Sequence, residues 1–469
     1  MLRRRGLSSC TVLGFVALAA RARAEDALGA AVAPATIVAH RYSLEECLAL
    51  ADRNFPNLWA ARARLANAHA VLEEATWTPW FQWSAQGSLG VTPPLLGSVV
   101  YPLSTLASRN ITSLQGLQPF AGFGLSGVVP IYTFGKIVTA QRGAEALMRV
   151  SEWDLEKARE QTRMDVRREY FSLQLARDSK YLIDDAMDRV TKAVAGMKDR
   201  IAGGDPNVGD ADRLRLEYFR QDVVLQSLRA DKSEAYAMAG LRFFTGVKAG
   251  FDVVDEPLKR PDRPLAPIAQ YLETARLHRP DVNMARAGVV ARRAQADFTR
   301  AKLLPDLGLG LGADFPSTPS AMPQQSVWSF DPYNHFGYYF GFGLRWSLDL
   351  PTQSARLAQA ESQLAETRSL EDLALGNATF EVERAYADVL EAKSREESWD
   401  RAEHLAKQWL SNVQDHIDLG TSDEGALVEP LRSYANARAQ HIVALMDYNV
   451  AMSSLSLASG WDSAAPTGN

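Results

Sequence analysis

The chain has 469 residues, room for two or three ordinary domains. Its 51 basic and 56 acidic residues nearly balance, which gives no electrostatic case for nucleic acid.

The N-terminus reads as a cleaved export signal, residues 1–24. Met1-Leu-Arg-Arg-Arg5 is basic, Thr11 to Ala20 is a ten-residue apolar run, and Ala22-Arg23-Ala24 is a small-x-small cleavage pattern. Ten apolar residues are too few to span a bilayer. Cleavage removes five arginines and no acid, leaving 46 basic against 56 acidic residues. The apolar run follows Cys10 instead of preceding it, which argues against lipidation there. Cys47 is then the remaining cysteine, with no partner for an intramolecular disulfide, and is expected to be a small packed residue on a helix. No later segment approaches 18 consecutive apolar residues, so the exported chain is expected to lack a transmembrane helix. It is then soluble or inserted as a β-barrel.

The first membrane-strand candidate is 81–91. Its odd residues are Phe81, Trp83, Ala85, Gly87, Leu89 and Val91, and its even residues include Gln82, Ser84, Gln86 and Ser88. In 123–131 the apolar set is Phe123, Leu125, Val129 and Ile131. A proline-free run, 136–202, follows and predicts one very long helix. Within it Ile183, Met187, Val190, Val194, Met197 and Ile201 alternate spacings of four and three, a coiled-coil seam. Gly203-Gly-Asp-Pro-Asn207 stops it, and a second helix over 210–245 returns antiparallel. Residues 247–267, with Pro257, Pro261, Pro264 and Pro267, form a linker.

The pattern then recurs. In 307–315 Leu307, Leu309, Leu311, Ala313 and Phe315 alternate with three glycines and Asp314. In 340–350 Phe340, Phe342, Leu344, Trp346, Leu348 and Leu350 alternate with Gly341, Gly343, Arg345, Ser347 and Asp349. This is the period-two signature of barrel strands, apolar outward and polar inward. It assigns Gln82, Ser84, Gln86, Asp314, Arg345 and Asp349 to the lumen. Trp77, Trp80, Tyr132, Phe134 and Trp346 at one end, and Phe120, Tyr333, Tyr338 and Tyr339 at the other, suit interfacial girdles. A second long helix over 355–418 reaches the turn Leu419-Gly-Thr-Ser-Asp423, and 426–459 returns.

The two halves align with each other. At an offset of 216, residues 166–218 and 382–434 share 11 of 53 identities, among them Val166/Val382, Tyr170/Tyr386, Ala176/Ala392, Gly204/Gly420 and Gly209/Gly425. Asn54-Phe55-Pro56-Asn57 parallels His278-Arg279-Pro280-Asp281, and Gly246 answers Gly460. The chain thus divides into a first repeat (25–246), the linker (247–267), a second repeat (268–460) and a tail (461–469). Four strands cannot close a transmembrane barrel, for which the minimum is eight, so the protomer must oligomerise.

No catalytic or cofactor site emerges. Gly122-Phe-Gly-Leu-Ser-Gly127 spells G-x-G-x-x-G, but strand alternation runs through it where a dinucleotide site needs a helix. There is no P-loop and no H-E-x-x-H, and the seven histidines are scattered without metal-ligand spacing. Neither an enzyme, a cofactor nor a bound metal is expected.

With its order of motifs, the chain resembles the TolC-like outer membrane efflux proteins over about 41–460. The carriers are Ser43-Leu-Glu-Glu-Cys47-Leu-Ala-Leu-Ala51 leading to Asn54-Phe-Pro56, Pro79 before the first strand, Val129-Pro-Ile-Tyr-Thr-Phe-Gly135 at a strand exit, and Ala301-Lys-Leu-Leu-Pro305 at a strand entry. The resemblance implies a mainly helical homotrimer in the bacterial outer membrane. Its twelve-stranded barrel is shared among protomers, and its hairpins form a hollow periplasmic α-barrel. It implies a passive duct whose tips meet a periplasmic adaptor attached to an inner-membrane pump, for efflux or type I secretion. Carried onto this chain, the adaptor-contacting tips are Gly204, Asp205, Asn207, Gly209 and Asp210, and Gly420, Thr421, Ser422 and Gly425. Each tip carries an extra glycine-containing step relative to the family pattern. Asp423, Glu424 and Glu429 are candidates for an acidic periplasmic aperture. The alternative is that they are solvated acids favouring a helix N-terminus.

Overall fold

The computed structural model describes residues 40–80, 82–92, 116–203, 210–248, 250–261, 263–319, 334–419, 421 and 424–464. A small unit consists of two parallel strands, β1 (Arg41–Tyr42) and β4 (Asp252–Val253). Tyr42 stacks on Phe251 within it, ring centroids 5.2 Å apart.

All else forms the second, mainly helical unit. In chain order it holds α1 (Leu44–Asn54), α2 (Pro56–Trp77), β2 (Gln82–Thr92), β3 (Gln118–Tyr132), α3 (Lys136–Ala202) and α4 (Asp210–Thr245). There follow α5 (Ile268–His278), α6 (Pro280–Ala301), β5 (Asp306–Ser317), β6 (Gly337–Arg345), α7 (Leu350–Asp418) and α8 (Val428–Ser459), then the single turn α9 (Trp461–Ala464). The order two helices, two strands, two helices thus occurs twice. At 1.5 Å per residue the 67 residues of α3 and 69 of α7 each run roughly 100 Å.

The predicted seam is where the tip halves of these helices meet. Val190, Val194 and Met197 of α3 are buried against Leu216 and Phe219 of α4, Leu410 of α7 and Leu431 of α8. Ile183, Met187 and Ile201 are half-buried along the same line. A second core lies higher, where Tyr271 and Ala275 of α5 meet Val382, Ala385, Val389 and Ala392 of α7 and Tyr448 and Leu455 of α8. Cys47 is buried on α1, and burial, with Glu46 alongside, pushes its thiol up to about 12. It is therefore a packed, unreactive residue, as expected.

Among the described residues α8 is the one helix long and apolar enough to cross a membrane, although its sequence is not a continuous apolar run. Its most apolar window is 61% buried against the rest of the unit, which fits a core helix. Helix α7 starts at Leu350 instead of 355, because Pro351 occupies its first turn, where proline fixes a helical φ and lacks only a hydrogen bond that would be unmade anyway.

Gly246 and Gly460 close α4 and α8 with φ of +72° and +62°. Each backs onto the junction between two short helices. A Cβ on Gly246 would stand 3.0 Å from Asn54 Cβ, and one on Gly460 would stand 2.8 Å from Arg279 Cα and 2.9 Å from its nitrogen. The Arg279 backbone cannot yield as a side-chain tip can. Gly460→Ala is expected to cost about 1–3 kcal/mol from left-handed strain and this clash. Gly376→Ala, in the interior of α7 with open space around it, should be neutral or stabilising by up to about 1 kcal/mol. Chemical denaturation of the two variants compares them directly. Equal midpoints would refute the close approach.

Candidate channel-lining face and hairpin tips

The four strands form one antiparallel sheet in the order β2-β3-β5-β6. Gln82, Ser84 and Gln86 stand opposite Val128, Ser126 and Gly124; Gly124 stands opposite Asp314, and Asp306 opposite Arg345. Directly opposed residues share a face. Five of the six lumen candidates, Gln82, Ser84, Gln86, Asp314 and Arg345, therefore lie on one face. The Ser84 and Ser126 hydroxyls join across it at 2.8 Å. Asp314 meets His335 Nε2 at 2.8 Å, and Gly337 leaves the room for that carboxylate.

The sixth candidate needs correction. The strand expected to run through Asp349 ends at Arg345, and Asp349 is the N-cap residue of α7. The apolar alternation of Leu348 and Leu350 continues past the last ladder pair, so period two alone overextends the strand.

The opposite face carries Trp83, Ala85, Leu89 and Val91, Phe123 and Leu125, Leu309, Leu311 and Phe315, and Phe340, Phe342 and Leu344, with no charge among them. Leu89 is 90% exposed, Phe340 75% and Phe342 77%. Two aromatics expected in the outer girdle depart from this face. Register puts Phe120 and Tyr339 on the polar side, where Tyr339 lies over the bare backbone of Gly312. Tyr333 lies outside the described residues. At the other end Trp77, Trp80, Tyr132 and Trp346 are exposed, and the Trp346 indole N–H donates to the Leu303 carbonyl at 3.0 Å.

The strand-to-helix passage follows from local sequence. Pro130 cannot donate to a ladder, and the β3–β5 register shifts between Pro130 and Tyr132. Phe134 (φ +50°) and Gly135 (φ +85°) then turn the chain into α3. The first residue of α3, Lys136, donates to the Leu304 carbonyl at 2.8 Å and to Asp306 Oδ1 at 2.7 Å. A cavity of about 930 Å³ opens on the polar face here, lined among others by Glu74, Gln82, Lys136, Asp306, Phe298 and Arg345.

At the tips, Gly204, Asp205, Asn207, Gly209, Gly420, Ser422 and Asp423 lie outside the described residues. Asp210 opens α4. Thr421 closes the turn after α7: its N–H and its hydroxyl both donate to the His416 carbonyl at 2.9 Å. Glu424 and Gly425 stand in a 3-10 turn, Glu424–Leu427, and Glu429 is exposed in the first turn of α8.

Residues 271–461 match the family described as outer membrane efflux protein. Protein CyaE of Bordetella pertussis is 27% identical over 243 residues, a match spanning 50% of this chain and 48% of that protein. Among solved structures, CusC superposes with a TM-score of 0.72 at 16% identity, covering 89% of this chain and 91% of that one. VceC from Vibrio cholerae superposes at 0.69 and 18% identity, covering 89% and 96%. The open-state MtrE channel of Neisseria gonorrhoeae superposes at 0.71 and 15% identity, covering 89% and 88%. The chain has the TolC-like outer membrane efflux protein fold.

One further feature of this chain is a buried charge network. Glu396, Asp400 and Glu403 recur on one side of α7 and meet His441 and Arg438 of α8 and Arg260 of the linker. Glu396 is 1% exposed; its Oε1 accepts from Arg260 Nε at 2.8 Å and lies 3.2 Å from His441 Nε2, while its Oε2 is buried with no hydrogen-bond partner among the described residues. His441 Nδ1 is 2.6 Å from Glu403 Oε2, and Arg438 Nη1 is 3.0 Å from Glu403 Oε1. Nearby, Asp178 accepts the Leu258 N–H at 2.8 Å, and burial raises its carboxyl above the ordinary range. The acids at i, i+4 and i+7 were a readable signal, but their partners on α8 lie 35 to 45 positions onward and Arg260 lies 136 positions before Glu396. Among the described residues no group of three or more His, Cys, Asp and Glu side chains is placed to hold a metal ion.

Proposed function

We propose that three copies of this chain join their sheets edge to edge into one twelve-stranded barrel in the outer membrane. Their long hairpins surround a periplasmic passage, and the assembly is the passive outlet of a tripartite efflux or type I secretion system. The observation that carries this reading is the open sheet. Among the described residues its outer strands, β2 and β6, have one neighbour each, and one face is apolar and uncharged, with Leu89, Phe340 and Phe342 largely exposed on it. Lipid suits that face, but lipid tolerates no open strand edge, so further strands must come from other copies. The exposed apolar side chains of α4 (Tyr218, Leu225, Tyr236) and α7 (Phe380, Leu405, Trp409) call for neighbours too.

In this reading the face of Gln82, Ser84, Gln86, Asp314 and Arg345 lines the lumen. The residues of the two tips, from Gly204 to Asp210 and from Gly420 to Gly425, meet the periplasmic adaptor that leads to the pump. Asp423, Glu424 and Glu429 surround the periplasmic opening, where threefold repetition would gather negative charge and favour cations. The comparison with Protein CyaE, 27% identical over half of each chain, leaves efflux and secretion equal candidates.

Expression of the full chain in a Gram-negative host tests the reading. The expected result is outer-membrane fractionation, an oligomer of threefold mass that dissociates on heating, and stepwise conductance in planar bilayers. A monomer confined to the soluble periplasmic fraction would overturn it.

A further inference from the structure

Each edge of the protomer lacks a neighbour of a kind that its middle has. In the middle β3 pairs with β5, and α6 and α8 both pack on α3. Fixed offsets relate these elements to counterparts in the other half. Pro56 and Pro280, in the first turns of α2 and α6, are 224 positions apart, and Gly246 and Gly460, closing α4 and α8, are 214 apart. Buried Ala144 and Ala360 follow the offset of 216 that relates α3 to α7. The counterparts of the middle pairs are then β6 with β2, α2 with α7, and α4 with α7. Among the described residues one protomer packs none of these. We propose that copies join head to tail, with α2 and α4 of one seated on α7 of the next, as α6 and α8 are seated on α3 within each copy. The pairing rests on the trimer proposed above and names the faces that meet in it.

Matched positions agree on the inner sides of these helices and differ on the outer sides. Leu241 and Leu455, and likewise Thr245 and Ser459, are fully buried in both α4 and α8. On the other side Ile442 of α8 is 2% exposed, whereas its counterpart on α4, Leu228, is 61% exposed. Leu228 lies in line with exposed Leu214, Tyr218 and Leu225, facing away from buried Leu216, Val223 and Ala230. Steps of four, seven and three place these four side chains on one coiled-coil seam, a seam that packs on another helix. Helix α2 behaves like α4. Ala287, Ala294 and Ala301 of α6 are buried, and their counterparts Ala63, Ala70 and Trp77 are exposed. On the opposite edge Met164 of α3 is buried, and its counterpart on α7, Phe380, is exposed.

A position that is core in one half and bare in the other marks a cover that must come from outside the chain. The occupant follows from what already covers the middle, which is the long helix of the other half. Sheet and helices agree on the seam. Helix α2 leads into edge strand β2, and edge strand β6 leads into α7. One edge therefore carries β2, α2 and α4, and the other carries β6 and α7. Unlike edges meet head to tail, a contact that closes into a ring. Like edges meeting face to face would leave α7 without α2 or α4.

One middle contact supplies the geometry for a test. A Cβ on Gly143 of α3 would stand 3.6 Å from the Ala294 Cβ of α6, within the separation of about 3.5–4.5 Å that a disulfide spans. The counterparts of these two residues are Gln359 of α7 and Ala70 of α2, both exposed. Full-length protein carrying Ala70→Cys with Gln359→Cys, in isolated outer membranes, is oxidised or treated with a short bis-maleimide and run on a denaturing gel. The band should shift from the mass of one chain to that of three. Ala70→Cys alone, Gln359→Cys alone and the native chain, whose Cys47 is buried, should stay at one chain mass. Gly143→Cys with Ala294→Cys should close within each chain and stay there too. A heat-dissociable trimer whose Ala70→Cys and Gln359→Cys positions do not cross-link overturns the seating of α2 on α7 and spares the trimer. Cross-linking of either single variant to itself, or of either position to a different protein, overturns the seating as well. A monomer overturns trimer and seating together.

Discussion

Phe340→Arg is expected to abolish the heat-dissociable outer-membrane oligomer, while Gly341→Arg, one residue along, leaves it in place. Both positions lie in mid-strand on β6, so backbone pairing is equal. What differs is the face. Phe340 stands opposite Leu311 on the uncharged side, and Gly341 stands opposite Gly310 on the side that carries Asp314 and Arg345. A cation facing hydrocarbon at mid-depth costs about 2–4 kcal/mol. Symmetry repeats that cost in every protomer. The Gly341 side has open space where a side chain would start, so no clash confounds the comparison. Migration of unheated and heated samples, with fractionation alongside, reads the outcome. If both variants assemble equally well, the sheet does not face lipid as proposed.

Periodicity made much of this fold legible. Lys136 to Ala202 could be bounded to the residue because Gly135 and Gly203 flank a run with no proline and few glycines. Strand phase was legible too, since a one-residue error would move Asp314 or Arg345 among the apolar side chains. Positions paired at the 216-residue offset have like surroundings: Val166 and Val382 are both fully buried, as nearly are Ala176 and Ala392. Register between hairpins was not legible. That β3 pairs with β5 depends on contacts between residues some 190 positions apart. Phe120 and Tyr339 passed for girdle residues by their place near the strand ends, although strand phase puts both on the polar face. The charge network around His441 was hidden because it is assembled by tertiary packing across several elements. Aperture and tip assignments came from resemblance to relatives, and most of those residues lie outside the described structure.

Arg279→Ala is expected to be the most damaging substitution at the junction of the second half, at about 1.5–3 kcal/mol, the range for hydrogen bonds to a charged group, since its partners Asp281 and Glu381 are themselves partly exposed. Arg279 lies between α5 and α6 with its side chain 10% exposed. Its guanidinium binds Asp281 through Nε at 2.7 Å, reaches Glu381 of α7, and donates to the Ala458 carbonyl near the end of α8 at 3.0 Å. Burial works against the charge. The hydrogen bonds and proximity of Asp281 and Glu381 outweigh it, and the group is held above its ordinary pKa. One side chain thus joins the α5–α6 junction to both arms of the second hairpin, at the point where Gly460 presses on the Arg279 backbone. Arg279→Lys keeps the charge but not the planar fork that serves three acceptors at once, so it should recover less than half of the loss. The equivalent junction in the first half has Phe55, which packs on Phe243 and Phe244 at 5.4 and 5.2 Å. One junction is therefore ionic and the other aromatic, at corresponding places in two similar halves. Urea unfolding of Arg279→Ala, Arg279→Lys and Phe55→Ala would compare them. A cost for Arg279→Ala below about 1 kcal/mol, the range of a surface pair, would show that the arginine is replaceable there.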